Sequence, residues 1–178
     1  FIMKKLLLII LPLLLIIGCS SSEPINFENT LEVRDSVFYT KDKNKPYNGE
    51  VFSLHENGGK KENGILKDGK RNGLWTGWYE NGQKWDERTF KDGKPDGFYT
   101  IWYENGQKKY EGTYKDRERD GLHTEWYENG PKWLEKNYKE GKQDGLKIGW
   151  YENGQKKYEG TYKDGKQDGL HTEWYENG

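Results

Sequence analysis

From Trp150 onward the chain alternates apolar and polar residues in two short runs. Tyr158, Gly160 and Tyr162 alternate with Glu159 and Thr161, and further on Leu170, Thr172 and Trp174 alternate with His171, Glu173 and Tyr175. A period of two is the mark of a half-buried β-strand. Glu152-Asn153-Gly154 separates Trp150 from the first run and Lys163-Asp164-Gly165 follows it, so each run ends in turn residues and the unit reads as a hairpin. Near-copies of Trp-Tyr-Glu-Asn-Gly begin at Trp78, Trp102, Trp126, Trp150 and Trp174, each 24 residues after the last, with a weaker copy at Leu54. A fixed period of this length indicates stacked units, none of which buries a face alone. The pattern predicts an all-β fold, an elongated antiparallel β-meander of serial hairpins. Two strands per unit advance such a sheet roughly 10 Å, so five units make an array on the order of 50 Å long.

Which side chains share a face depends on loop length, because a slip of one residue sends every side chain to the other side. A two-residue turn at Asn153-Gly154 would put Tyr158 opposite Trp150. A three-residue loop, Glu152-Asn153-Gly154 with a left-handed Gly, pairs Trp150 with Lys156 and places Tyr158, Gly160 and Tyr162 beside it. The same choice at Lys163-Asp164-Gly165 brings Leu170 to that side. The expectation is one packed face of Leu, Trp, Tyr and Gly. Opposite it stand Tyr79, Tyr103, Tyr127 and Tyr151, with Tyr175, Trp85 and Trp133 sharing their parity. These aromatics are the candidate binding residues, and cross-strand pairs that merely stiffen a thin sheet are the alternative reading of the same row.

Composition alters this picture little. Only 31% of the 178 residues are hydrophobic and 33% are charged, a balance that alone points to disorder, but 15% are aromatic and all eight Trp lie within the repeats. The formal net charge is −1 and its signs alternate along the strands, which fits a solvated face and not a nucleic-acid surface.

The N-terminus is different. Met3-Lys4-Lys5 and the apolar run Leu6 to Ile17, interrupted by Pro12, read as a secretory signal too short to span a membrane as an ordinary helix. Phe1 and Ile2 precede what looks like the natural start. Ile16-Ile17-Gly18-Cys19 resembles the lipobox of bacterial lipoproteins, which implies lipidation of Cys19. Cys19 is the sole cysteine, so no disulfide forms within the chain, and the added acyl chains would hold it stably on a membrane. The expected organisation is a signal peptide over 1–18, a tether over 19–32, N-terminal cap strands over 33–53 and repeats over 54–178. Leu31 to Val33 and Ser36 to Thr40 are the expected cap strands. The last hairpin lacks its return strand, so the natural chain is expected to continue beyond Gly178.

Tyr110-Glu-Gly112-Thr-Tyr114-Lys-Asp with Gly121, and Tyr158-Glu-Gly160-Thr-Tyr162-Lys-Asp-Gly165 with Gly169, resemble MORN repeats, in particular the bacterial variant labelled as the YwqK-family antitoxin. The resemblance covers about Val33 to the end. It implies serial β-hairpins and an antitoxin or interaction role. Some copies depart from the frame: Asp86 and Arg88 replace the first Tyr and Gly, Lys136 replaces a Gly, and Arg117 replaces the turn Gly. Units beginning at Trp102 and Trp150 share QKKYEGTY, whereas those at Trp78 and Trp126 carry Trp85 and Trp133, a 48-residue super-period.

No chemistry is evident in these motifs, and neither cofactor nor metal is expected. His123 and His171 occupy equivalent places roughly 20 Å apart along an array, too far to share one metal ion. Glu80, Glu104, Glu128 and Glu152 lie in loops without the walled cleft that acid/base catalysis requires. Asp-Gly-Lys-x-Asp-Gly is superficially similar to a calcium loop, but lysine stands among its ligands. The expectation is a lipid-anchored, non-enzymatic scaffold of the bacterial cell envelope that binds a protein, with a toxin as the partner implied by the resemblance. Carbohydrate or envelope-polymer binding through the repeated aromatics is the rival, since choline-binding and glucan-binding repeats are also short aromatic hairpins.

Overall fold

A computed structural model describes residues 23–42 and 44–177. The signal segment and Cys19 lie outside the described residues. The chain opens with β1 (Ile25–Asn26), a single helical turn α1 (Phe27–Thr30), β2 (Leu31–Arg34) and β3 (Val37–Thr40). A meander follows: β4 (Gly49–Leu54), β5 (Lys60–Lys67), β6 (Lys70–Trp78), β7 (Lys84–Lys91), β8 (Lys94–Trp102) and β9 (Lys108–Lys115). It continues through β10 (Glu118–Trp126), β11 (Lys132–Lys139), β12 (Lys142–Trp150), β13 (Lys156–Lys163) and β14 (Lys166–Glu173). Strands β4 to β14 pair in chain order, all antiparallel, and β1 adds a parallel edge on β4. The fold is therefore the all-β meander of serial hairpins that the alternation predicts.

Two kinds of turn alternate along it. At Asp68-Gly69, Asp92-Gly93 and Asp164-Gly165 both central residues have positive φ and the flanking lysines pair directly, as in Lys163 with Lys166. These are two-residue type I′ turns, whose twist suits a hairpin, and not the three-residue loops expected there. At the other end, Glu152-Asn153-Gly154 is a three-residue loop with Gly154 at φ +85, and Trp150 does pair with Lys156.

The faces are nonetheless exchanged. Gly149 pairs with Tyr158, leaving Lys157 as an extra, unpaired residue beside the loop. This one-residue bulge inverts the parity of everything beyond it. Trp150 and the Leu row thus lie on one face with Glu159 and Thr161, while Tyr158, Gly160 and Tyr162 occupy the other, correcting the expected single face of Leu, Trp, Tyr and Gly. The Tyr/Gly face is the one that packs. Gly112 and Gly160 leave room there for rings from the next strand: a Cβ on Gly112 would stand 2.5 Å from His123 Nδ1.

The apolar core sits at the N-terminal end of that face. Val51, Leu66, Trp75 and Phe90 are buried together under Leu31, with Phe27 edge-on to Trp75 at 6.2 Å between ring centroids. Residues 25–32 therefore belong to the cap and not to a free tether, because Leu31 has only 5% of its surface exposed and Ile25 pairs with Val51. Likewise, β4 is the first strand of the antiparallel meander and not a cap strand.

Candidate functional site

Each Trp-Tyr-Glu-Asn-Gly-Gln stretch builds the same loop. Tyr151 N–H donates to the Gln155 carbonyl and Gly154 N–H to the Tyr151 carbonyl, while Asn153 Oδ1 accepts from Gln155 N–H at 2.9 Å. Side chains then reach the next unit. Tyr79, Tyr103, Tyr127 and Tyr151 donate their hydroxyls to the carbonyls of Trp102, Trp126, Trp150 and Trp174 at 2.8, 2.8, 3.0 and 2.9 Å. Asn57, Asn81, Asn105 and Asn153 donate in the same way to Glu80, Glu104, Glu128 and Glu176 carbonyls. His55, which stands where the later units have Tyr, reaches the Trp78 carbonyl through Nε2 at 2.8 Å. The six-residue motif is thus the fastener between repeats.

The four candidate tyrosines are consequently clamps, half-buried at the loop edge, and not a free stripe. Burial first, and the glutamates of neighbouring loops second, raise the phenol pKa of Tyr79, Tyr103 and Tyr127, so each stays a donor at neutral pH. What stands outward beside them is the bulge residue of each hairpin. Lys109 and Lys157 lie over the rings of Tyr103 and Tyr151 at 5.3 Å. Trp133 tilts over Tyr127 at 6.4 Å and keeps 36% of its surface exposed. Trp85 differs, because its indole covers Gly77, where a Cβ would meet Nε1 at 2.2 Å, and Arg88 lies over its ring at 5.5 Å. Trp133 is therefore the open member of the candidate pair and Trp85 the half-covered one.

The alternation of units also has a physical basis. Where the frame glycine is kept, a ring fills its space, as with Trp75 on Gly64 and His123 on Gly112. Where Arg88 replaces it, the guanidinium lies over Tyr99 at 5.1 Å and pairs with buried Asp86. Arg71 pairs with Glu62 at 2.9 Å and covers Trp75. This quartet of charges continues the packed face where the apolar cap ends.

The three histidines do not converge. His123 is buried with 3% exposure, Nε2–H donates to the Thr113 carbonyl at 2.9 Å, and Nδ1 accepts from Tyr110. His171 faces Glu173, and His55 serves as a clamp. Among the described residues no group of three His, Cys, Asp or Glu side chains is placed to hold a metal ion.

These features define a repeat scaffold whose loop edge is held rigid by side chains passing from each hairpin to the next. The repeat is the MORN repeat variant, which matches residues 71–92, 95–116, 119–140 and 143–164. Each matched segment encloses one three-residue loop and its two strands and ends in the following tight turn. No curated protein matches the chain.

Proposed function

We propose that this array is a non-enzymatic interaction scaffold, held on a membrane of the bacterial cell envelope by a lipidated Cys19, that binds a protein along its loop edge. The observation that carries this reading is the outward bulge row. A β-bulge re-aims a side chain away from the ladder, and at Trp133 it presents a large ring against the fixed Tyr127. An exposed aromatic on an immobile support loses little entropy on binding, the property of an interface anchor. MORN repeats also recur in proteins that mediate interactions. The resemblance noted from sequence narrows the partner to a toxin.

The test is a photo-cross-linking residue at position 133 in the full chain, expressed in its native envelope, with Trp133→Ser in parallel. A protein adduct that vanishes with competing unlabelled wild type supports the reading, and toxicity relieved by co-expression would support the narrower one. The exposed Trp133 ring, tilted over Tyr127, also favours a second reading, carbohydrate binding, which a glycan-only adduct would establish in place of the first. Anchoring is tested separately: Cys19→Ser is expected to abolish incorporation of labelled palmitate.

A further inference from the structure

Among the described residues no strand or helix packs over the face opposite the core, which only Glu23 and Pro24 approach at its N-terminal end, and large apolar side chains run down its middle. Leu74, Phe98, Leu122, Leu146 and Leu170 keep 54, 71, 49, 37 and 81% of their surface exposed. Leu74 is the fifth of nine residues in β6, and Phe98, Leu122 and Leu146 hold the same place in β8, β10 and β12, so the row follows the sheet's midline. Thr89, Thr113, Asn137 and Thr161 are paired with its members on the strands between, and an exposed row of large apolar side chains repeated in this way marks an interaction surface. We infer that it is the contact between two copies of this chain, stacked sheet on sheet about a two-fold axis running along the row.

Three observations select a second copy and that axis. First, the row repeats once per hairpin, and a partner matching it from end to end needs the same spacing, which a second array has by construction. Second, ten strands of about eight residues present a face of about 1,300 Å², above the roughly 800 Å² per partner of a standard interface. Third, the two long edges differ in charge. On the tight-turn edge lysines stand opposite one another, as in Lys67 with Lys70 and Lys139 with Lys142, two against the single acid of each of these turns. On the loop edge Lys84, Lys108 and Lys132 are paired with Glu87, Glu111 and Glu135 of their own strands and Lys109 lies over Tyr103, which leaves Glu80, Glu104 and Glu128. Neither these glutamates nor the tight-turn lysines form an ion pair among the described residues. An axis along the Leu row lays each lysine edge on the other copy's glutamate edge. Reversing the array direction would lay lysines on lysines.

The axis gives a direct test. With Cys19→Ser as background, Leu74→Cys and Leu170→Cys are introduced separately into the full chain and mildly oxidised, with Lys147→Cys on the packed face as the control. The expected result is a disulfide-linked dimer of doubled mass from each Leu variant alone and none from the control. Linkage only when the Leu74 and Leu170 variants are mixed would overturn the proposed axis. Light scattering is expected to give twice the chain mass for the Cys19→Ser protein, and Phe98→Lys with Leu122→Lys is expected to halve it while circular dichroism stays β. A monomeric mass for the parent, or position 74 cross-linking to another protein in its place, would overturn the inference. The bulge row is on the loop edge, so failure here leaves the Trp133 experiment independent.

Discussion

His123 is held neutral by its surroundings. Burial lowers its pKa to about 4, against the help of the Thr113 carbonyl, and the nearby cations Arg119 and Lys136 push the same way. Because the folded form resists protonation, its contribution to stability is complete above pH 6.5 and is lost as pH falls from there to about 4. The full loss is about 3 kcal/mol. Glu62 and Asp86, whose pKa values burial raises, work in the opposite direction, so only a comparison isolates the histidine. The stability advantage of wild type over His123→Phe is expected to fall by about 2–3 kcal/mol between pH 7.5 and pH 4.5 in urea titrations. Arg117 is a second residue-scale case. It has φ +80 where equivalent turns have glycine, and its N–H bonds to the Pro95 carbonyl at 3.1 Å. Arg117→Gly keeps that bond and removes strain, so it is expected to stabilise the protein by about 1 kcal/mol, read from the urea midpoint. The strain at Arg117 is legible in the sequence because it breaks a repeated glycine. His123 gives no such sign: its burial depends on Gly112 standing across the strand pair, which only the register reveals.

At the scale of the hairpin, the loop motif explains why Tyr and Asn recur with the Trp. The hydroxyl of Tyr103 spans 23 residues to the Trp126 carbonyl, fastening one unit to the next. Tyr103→Phe keeps the ring and loses this bond, at an expected cost of about 0.5–1.5 kcal/mol in chemical unfolding. The Tyr79 and Tyr151 clamps have no shared partner, so the losses in a triple Phe variant are expected to add. A contact made through the rings, with a protein or a sugar, would survive while stability falls, which separates clamp from binding stripe. The alternation, the 24-residue period and the Glu-Asn-Gly loop were readable because each is a local pattern of residue types. The faces were not. Lys157 forms its bulge with no residue signature of its own, and Asp164-Gly165 follows its strong type I′ preference over the longer loop that a single packed face would require. Together the bulge and the tight turn put Trp150 and Leu170 on the face opposite Tyr158 and Tyr162. The consequence is functional, since the Leu row expected in the core is the exposed one.

Over the whole molecule, buried apolar area is unevenly distributed. The cluster of Leu31, Val51, Leu66, Trp75 and Phe90 closes one end, and the fully buried Trp75, Leu66 and Val51 all lie between β4 and β6. Farther along, the packed face still buries Tyr110, His123 and Leu134, but half-buried tyrosines with Lys136 and Lys147 fill the rest of it, and in β14 every residue is half-buried or exposed. A linear array is stabilised unit by unit through nearest neighbours, so local opening should follow this gradient. Amide hydrogen exchange is expected to be slowest in β5 to β7 and progressively faster through β12 to β14. Leu31→Ala removes the lid of the core, should cost about 2–5 kcal/mol, and is expected to accelerate exchange in β4 to β7 while leaving β12 to β14 nearly unchanged. Uniform acceleration across all strands would instead show one cooperative block, and the repeats would then have to be treated as a single folding unit.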